Sequence, residues 1–261
     1  MASTNVYGDI ARQIAGPSAH VTSILSDPNA DPHLFEARTS NGLAVARAKV
    51  VIANGLGYDA FMQKLEQSTA THAVRLTVAD ALDVHGAEAN PHLWYDLPAL
   101  GKIGSAIAGA LSRADPRHAG RYAAGRERFD ASLAPLRRAV AALRAAHRGD
   151  AVASTEPVPD YLVAAAGLRE LSPSAFTRAV ADGTEPAPGA LAGMLRLVRE
   201  RRIRVLLYNT QAVSPITKRV RAAARAAHVP VVGVTETLPP GETYQAWQLR
   251  QVRALAAALG R

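Results

Sequence analysis

Two histidines in the first half of this sequence and two glutamates in the second half each follow a strand-like segment. They are His33, His92, Glu156 and Glu236. In an open α/β sheet, ligands bind beyond the carboxyl ends of the strands. We therefore expect the two imidazoles and the two carboxylates to converge if the two halves of the chain face each other across a cleft.

Two imidazoles and two carboxylates form a suitable ligand set for a first-row divalent metal ion. Imidazole suits zinc and iron, and carboxylate suits harder ions such as manganese. Two negative charges neutralise a dication and so offset much of the free-energy cost of burying it. Four protein ligands leave no open position for a substrate or an activated water. The set therefore favours a protein that holds or carries the ion, and we expect no enzyme.

Other interpretations of the same residues stay open. A histidine after a proline in a loop often forms a capping hydrogen bond, and a glutamate after a strand often caps a helix. A metal-dependent hydrolase could use the same cleft residues, but it needs an open coordination position and a general base nearby. An α/β small-molecule binding module is the other alternative. Residues 54–57 are too short for the glycine-rich phosphate loop that a dinucleotide-binding module would use.

Several polar residues lie where they could orient the four candidate ligands through hydrogen bonds. They follow strand-like segments or lie close to His92 in the sequence, and they are Asn54, Asp96, Asn209, Thr210 and Gln211. His85, in the predicted loop at residues 79–91, is a candidate auxiliary ligand.

The composition limits the classes of protein to which this chain can belong. Hydrophobic residues make up 48% of the 261 residues and charged residues 20%, which predicts a packed core. No apolar run is long enough to cross a bilayer. The chain has no cysteine, which excludes thiolate metal sites and disulfides within it. The net charge is +8, but aromatic residues are only 5% and no basic stretch is interleaved with them. We therefore expect no nucleic-acid partner.

Strand-like and helix-like segments alternate through residues 1–114 and again through residues 150–261. This alternation predicts an α/β fold with a parallel sheet in each of two lobes. The predicted strands are at residues 4–7, 20–25, 49–53, 73–78, 151–154, 168–171, 204–208 and 229–235. The predicted helices are at residues 9–15, 39–47, 59–67, 97–113, 159–166, 190–201, 215–227 and 243–259.

A single long helix is predicted at residues 115–149, between the two lobes. Its apolar residues recur at helical spacing, Asp115 and Pro116 form a start signal, and Gly149 forms a stop signal. About 30 residues at a rise of about 1.5 Å give a length of about 45 Å. Pro135 should kink the helix, because its ring clashes with the carbonyl four residues earlier. We interpret this helix as a rigid spine that joins the lobes.

The motifs around the histidines resemble those of the TroA-like metal-binding solute-binding proteins, which serve ABC importers for manganese, zinc and related ions. The resemblance covers nearly the whole chain, and its most specific part is the segment Asn90-Pro91-His92-Leu93-Trp94-Tyr95-Asp96. It implies that His33 and His92 are the first two metal ligands, that Glu156 is the third and that Glu236 is the fourth. It also implies two lobes held by a rigid helix.

The resemblance further implies an extracytoplasmic or periplasmic carrier that captures Mn²⁺ or Zn²⁺, or iron, as cargo and delivers it to an ABC permease in the membrane. Such a carrier can work as a monomer. The sequence shows no export signal, so we expect either that a signal was removed or that the protein is cytosolic. Residues 79–91 lack the His-rich character of the metal-gathering loop in zinc-specialised members. A glutamate as third ligand leans toward manganese or iron, although zinc binds most N/O sites more tightly.

Overall fold

The computed structural model describes residues 1–27, 35, 37–69 and 71–260. Their contacts divide the chain into two compact units. The first comprises Met1–Trp94, Pro98–Ala134 and Thr237–Tyr244, and the second comprises Tyr95–Leu97, Pro135–Glu236 and Gln245–Arg261. The predicted domain ranges of 1–114, 115–149 and 150–261 stay a prediction.

The first unit contains a four-stranded parallel sheet with the order β2-β1-β3-β4. Its strands are β1 (Ala2–Thr4), β2 (Ser23–Leu25), β3 (Val50–Ala53) and β4 (Val74–Thr77). In the register of the sheet, Ile52 of β3 pairs with Ala2 and with Leu76. β3 is a continuous β-branched run because both faces of a parallel sheet are covered by helices.

Six helices belong to the first unit in the described part of the chain. They are α1 (Asn5–Ala15), α2 (Thr39–Ala46), α3 (Ala60–Ser68), α4 (Val78–Leu82), α5 (Leu100–Ala114) and α6 (Ala119–Ser132). One hydrophobic cluster under this sheet combines buried side chains of β2, α2, β3 and α3, including Leu25, Val45, Val51 and Met62.

The second unit repeats this design with the strand order β6-β5-β7-β8, all parallel. Its strands are β5 (Ala151–Ser154), β6 (Arg169–Glu170), β7 (Val205–Asn209) and β8 (Val231–Val234). Its helices are α7 (Ala134–His147, with Ala134 counted in the first unit), α8 (Asp160–Ala165), α9 (Ser174–Ala181), α10 (Pro188–Arg199), α11 (Pro215–Ala226) and α12 (Tyr244–Leu259, with Tyr244 counted in the first unit). The predicted α/β class with a parallel sheet in each half is confirmed.

Three local predictions were wrong. The chain turns into α1 at Asn5, directly after β1, whereas residues 4–7 were predicted as strand. Val78–Leu82 forms the short helix α4, whereas Val78 was predicted as the end of a strand and residues 79–91 as a loop. The helix α9 at Ser174–Ala181 was not predicted, although Phe176 from it is fully buried in the core of the second unit.

The predicted long helix consists of two helices with one turn residue between them. α6 ends at Ser132 and α7 begins at Ala134, and Leu133 lies between them with its backbone N–H directed to the Asp130 carbonyl at 3.2 Å. Pro135 has no N–H to donate to the carbonyl four residues earlier, so an interruption at this point is what its chemistry requires. A short 3₁₀ segment, Pro116–His118, precedes α6 where the predicted helix began.

In the described residues, no helix combines the length and the apolar character needed to span a membrane.

Candidate metal centre

Glu156 and Glu236 meet on one side-chain amide in the second unit. Glu156 follows β5, Asn209 is the last residue of β7, and Glu236 follows β8, so all three lie at the carboxyl edge of the sheet. Asn209 Nδ2 donates to Glu156 Oε2 and to Glu236 Oε1, the latter at 2.7 Å. The exposed fractions of the two glutamates are 1% and 0%. Both acids thus lie at one edge of one sheet, and their role as metal ligands stays a prediction.

The same edge carries further hydrogen bonds that hold this pair of acids. The backbone N–H of Glu236 donates to Gln211 Oε1 at 2.5 Å, and the N–H of Gln211 donates to Asn209 Oδ1 at 3.0 Å. The N–H of Asn209 donates to Thr155 Oγ1 at 3.0 Å. Asn209 and Gln211 thus each contact a residue that directly follows β5 or lies just after β8. Two buried carboxylates that share one amide carry a negative charge that a dication would neutralise.

Tyr95 and Gln251 support the segment before Glu236, and neither was predicted as part of the site. The Tyr95 hydroxyl has one hydrogen and lies within hydrogen-bond distance of two acceptors, the Thr235 carbonyl at 2.6 Å and Gln251 Oε1 at 2.9 Å. The Thr235 N–H also donates to Gln251 Oε1. Burial raises the pKa of Tyr95, with a further rise from the charge of Glu236, so this hydroxyl remains a donor over the physiological range.

His92, in the first unit, is fully buried and its ring is held in one tautomer. Both its backbone N–H (3.0 Å) and its Nδ1 (2.7 Å) contact Asn90 Oδ1. An amide oxygen that accepts the backbone N–H can only accept from Nδ1 as well, so the proton of a neutral imidazole lies on Nδ1. Nε2 then carries the lone pair, which is the form that binds a metal ion.

Asn54, at the end of β3, fixes the loop that carries His92. Its Nδ2 donates to the Pro91 carbonyl at 2.9 Å, and its Oδ1 accepts from the Tyr7 hydroxyl at 2.5 Å. The rings of Tyr58 and Trp94 contact the imidazole edge-on, with centroids 5.8 and 5.4 Å away. Trp94 has a packing role here, because its ring is buried against His92 and Tyr58.

A tight turn after Asn54 brings Tyr58 to this position. Gly55, Leu56 and Gly57 all have positive φ angles, of 88°, 55° and 78°. The carboxylate of Asp59 closes the turn by accepting the N–H groups of Asn54 (2.5 Å) and Gly55 (3.0 Å). Burial raises the pKa of Asp59, although these hydrogen bonds act to lower it.

The remaining candidates differ in what the structure describes. His33 lies outside the described residues. His85 is exposed and its Nε2 lies 3.1 Å from Asp83 Oδ1. Asp96 is half-buried. Burial of the Tyr161 phenol raises the pKa of Tyr161, and the negative charge of Asp96 raises it further. Within residues 1–27, 35, 37–69 and 71–260, no three His, Asp or Glu side chains form a group able to hold a metal ion.

Comparison with known proteins identifies relatives of this chain. The family model described as "ZnuA: Zinc-uptake complex component A periplasmic" matches residues 1–258. The manganese-binding lipoprotein MntA of Bacillus subtilis is 29% identical over 125 residues, which are 45% of this chain and 40% of the relative. This chain thus aligns with less than half the length of that relative.

Two solved structures share the fold over nearly the whole chain. The periplasmic zinc binding protein TroA of Treponema pallidum has a TM-score of 0.83 at 18% identity and covers 100% of this chain and 98% of its own. The protein FpvC of P. aeruginosa, solved in complex with Ni²⁺, has a TM-score of 0.82 at 19% identity, with 99% and 95% of the two chains covered. At these identities the likeness establishes the fold.

Proposed function

The chain belongs to the family of periplasmic zinc-uptake component A proteins, and from this premise we propose that it is the extracytoplasmic metal-binding component of an ABC importer. Its cargo is a divalent transition metal ion, Zn²⁺ or Mn²⁺. It captures the ion, working as a monomer, and delivers it to a membrane permease.

The arrangement around Asn209 is the observation that carries this proposal. Burial of two carboxylates on one amide is costly unless a cation or a proton compensates their charge. The relatives supply the class of cation: MntA is named for manganese, TroA for zinc, and FpvC was solved with Ni²⁺. His92, with its Nδ1–H held by Asn90, presents the nitrogen lone pair that such ions bind.

We assign the four ligands as His33, His92, Glu156 and Glu236. Imidazole nitrogen and carboxylate oxygen together bind zinc and manganese, and two charges balance the dication. In this assignment Asn54, Asn90 and Asn209 orient the ligands, and Tyr95 with Gln251 supports the Glu236 segment. Four protein ligands provide for binding of the ion and leave no place for an activated water, which favours transport over hydrolysis.

Metal binding by the purified chain tests the proposal. Metal-depleted protein is titrated with Zn²⁺ or Mn²⁺ and its thermal unfolding is recorded. An ion at about 1,000 times its Kd stabilises by about 4 kcal/mol, which for a chain of this size is a rise in Tm of about 8–16 °C.

Variants of the ligands identify the site. His33→Ala, His92→Ala, Glu156→Gln and Glu236→Gln should each remove most of the rise in Tm. Glu127→Gln, an exposed acid on α6, is the matched control and should keep the full rise. A rise that survives both His92→Ala and Glu236→Gln would contradict the assignment, and a wild-type chain that binds no divalent ion would contradict the function.

A further inference from the structure

The second unit carries a pocket of about 570 Å³ beside β8. Tyr208 of β7 and Thr210, the residue after β7, both line it. Asn209 lies between them, and successive side chains of a strand point to opposite faces of the sheet. The pocket is therefore on the other face from the amide that holds Glu156 and Glu236. Its volume falls within the range of about 300–1,000 Å³ that small-molecule sites occupy.

Gly233 leaves room for a ligand beside Tyr208. In the register of β7 and β8, Gly233 pairs with Tyr208, and paired residues of neighbouring strands direct their side chains to the same face. A Cβ at position 233 would lie 3.1 Å from Thr210 Cγ2, so a side chain there would occupy this space. Gly233 is exposed on β8, an edge strand of the sheet. The pocket is open at this point because no side chain stands at position 233.

Two arginines of α11 form the wall of the pocket. Arg221 and Arg225 are four residues apart, a spacing that places both on one side of the helix. The guanidinium carbon of Arg221 lies 4.7 Å from the centroid of the Tyr208 ring, so this arginine is stacked on an aromatic surface. Stacking uses the face of the guanidinium plane and leaves the N–H donors at its edge for a ligand.

No carboxylate balances the charge of these arginines within the described part of the chain. The described residues that line the pocket include no aspartate or glutamate. Neither Arg221 nor Arg225 forms an ion pair with a described residue. The sequences of α11 and β8 contain no acid either. Like charges four residues apart on a helix destabilise it, so an anion bound between the two arginines would relieve their repulsion.

His228 adds a third nitrogen-bearing side chain to the pocket, at a position that usually favours glycine. Its φ is 55°, in the left-handed region that glycine adopts without strain just after a helix end. The N–H groups of His228 and Val229 donate to the carbonyls of Arg225 and Ala224 and so close the end of α11. Glycine would serve this turn better than histidine, so the imaging of the turn alone does not account for the imidazole.

We propose that this pocket binds the phosphate group of an anionic ligand. The proposal goes beyond metal binding and does not depend on it. Two guanidinium groups supply two positive charges and paired N–H donors, which match the several oxygens of a phosphate dianion better than the two oxygens of a carboxylate. The volume leaves room for the organic part of a phosphate ester. The phosphate belongs either to a soluble ester or to the headgroup of an anionic phospholipid.

Binding of soluble phosphates is the first arm of the test. The metal-depleted full chain is titrated with inorganic phosphate and with glycerol phosphate by isothermal titration calorimetry, at one ionic strength set with sodium chloride. We expect saturable binding at one site per chain. The double variant Arg221→Gln/Arg225→Gln loses charge-assisted hydrogen bonds and should raise the Kd by about tenfold or more. If it does not fold, Arg225→Gln alone, at an exposed position, should raise the Kd in the same direction.

A control variant separates the pocket from the general positive charge of the protein. Arg196→Gln/Arg199→Gln removes two exposed arginines from the last turn of α10 and lowers the net charge by the same amount. It should keep the wild-type Kd. The variant His228→Gly should bind phosphate more weakly while its Tm rises, because the strain at this position is removed. A defect in folding would instead lower the Tm.

Flotation with lipid vesicles is the second arm. The chain is mixed with vesicles of phosphatidylglycerol or of phosphatidylcholine. Flotation with phosphatidylglycerol that the Arg221/Arg225 variant loses and the Arg196/Arg199 variant keeps would assign the lipid headgroup as the source. Binding of glycerol phosphate without flotation would assign a soluble ester. Failure of the wild type in both arms, or an equal loss in the two double variants, would overturn the proposal.

Discussion

Asn90 holds the imidazole of His92 through a single oxygen atom that accepts both the backbone N–H and Nδ1. This contact determines which ring nitrogen keeps its lone pair. Asn90 belongs to the sequence motif around His92, but only the distances in the structure show that its oxygen contacts Nδ1 of the ring. The same is true of Asn209, whose position after a strand was predicted while the division of its two hydrogens between two acids was not. These hydrogen bonds depend on the positions of side chains at the ends of three strands, β5, β7 and β8, and the order of residues in the sequence does not contain that information.

Replacing Asn90 tests the importance of the tautomer. In Asn90→Ala the imidazole loses the acceptor for Nδ1–H, and we expect the affinity for Zn²⁺ to fall by about tenfold or more. Asn90→Asp keeps an acceptor oxygen and should bind at least as tightly as the alanine variant. A competition titration against a chromophoric zinc chelator measures both. Equal affinity of Asn90→Ala and the wild type would contradict this role.

Asp160, the first residue of α8, should make the stability of the protein depend on pH. Burial, followed by the nearby charge of Glu170, raises the pKa of Asp160 to about 7. In the unfolded chain it ionises near its ordinary value of about 4. Between these values the folded state binds the additional proton, so stability falls as the pH rises from about 4 to about 7.

The variant Asp160→Asn removes this effect. We expect it to gain at least about 1 kcal/mol over the wild type at pH 8, or about 2–4 °C in Tm, and to lose the advantage near pH 4. Thermal unfolding of the metal-free protein at several pH values measures the difference. A difference that does not change with pH would show that Asp160 ionises alike in both states.

At the scale of elements, the backbones of α6 and α1 approach each other closely at Gly125. A Cβ built on Gly125 of α6 would lie 2.0 Å from the carbonyl oxygen of Ile14. Because this oxygen belongs to the backbone of α1, it cannot move away as the end of a flexible side chain could. The two helices can therefore approach this closely only with glycine at position 125.

The variant Gly125→Ala should lose stability, because α6 must move away from α1. We expect a cost of about 1–3 kcal/mol or more in the free energy of unfolding, measured with urea. Gly120→Ala in the same helix is the matched control. Its Cβ would meet no atom within 4 Å, so it should gain up to about 1 kcal/mol from helix propensity. Similar effects of the two substitutions would mean that the contact with Ile14 is unimportant.

Elements with a strong local signal were the ones predicted correctly. The buried runs of β3, β5, β7 and β8 and the amphipathic helices α10, α11 and α12 lie within a few residues of their predicted bounds. The failures have physical reasons. Val6 and Tyr7 resemble a strand locally, but both are fully buried on α1, where packing decides the conformation. Helix α9 has only eight residues, too few for a clear period.

At the scale of the whole molecule, the chain enters and leaves each unit more than once. The first unit includes Thr237–Tyr244, more than a hundred residues after Ala134. Asn5 holds this segment, since its Nδ2 donates to the Leu238 carbonyl at 2.8 Å and its Oδ1 accepts the Leu238 N–H at 2.9 Å. The Tyr244 N–H donates to Asp9, and the Tyr244 hydroxyl donates to the Trp94 carbonyl.

Replacing Asn5 tests how firmly this segment is held. Asn5→Ala leaves the backbone of Leu238 without both of these side-chain partners, and we expect a loss of about 1–3 kcal/mol in the free energy of unfolding. Amide hydrogen exchange at residues 237–244 should accelerate. Asn41→Ala is the control: this half-buried residue of α2 accepts only the Arg38 N–H among the described contacts, so its replacement should cost less and leave the exchange at residues 237–244 unchanged. If amide exchange at residues 237–244 stays slow in Asn5→Ala, other contacts hold this segment without Asn5.

The return of residues 237–244 to the first unit has a consequence for biosynthesis. A ribosome adds residues in order, so Asn5, Asp9 and the Trp94 carbonyl are all made long before Leu238 and Tyr244. Until residue 244 has emerged from the ribosome, the first unit lacks the segment Thr237–Tyr244. Asn5, Asp9 and the Trp94 carbonyl cannot form their hydrogen bonds to this segment before then. The first unit can therefore be completed only after residues Pro135–Glu236 of the second unit have been made.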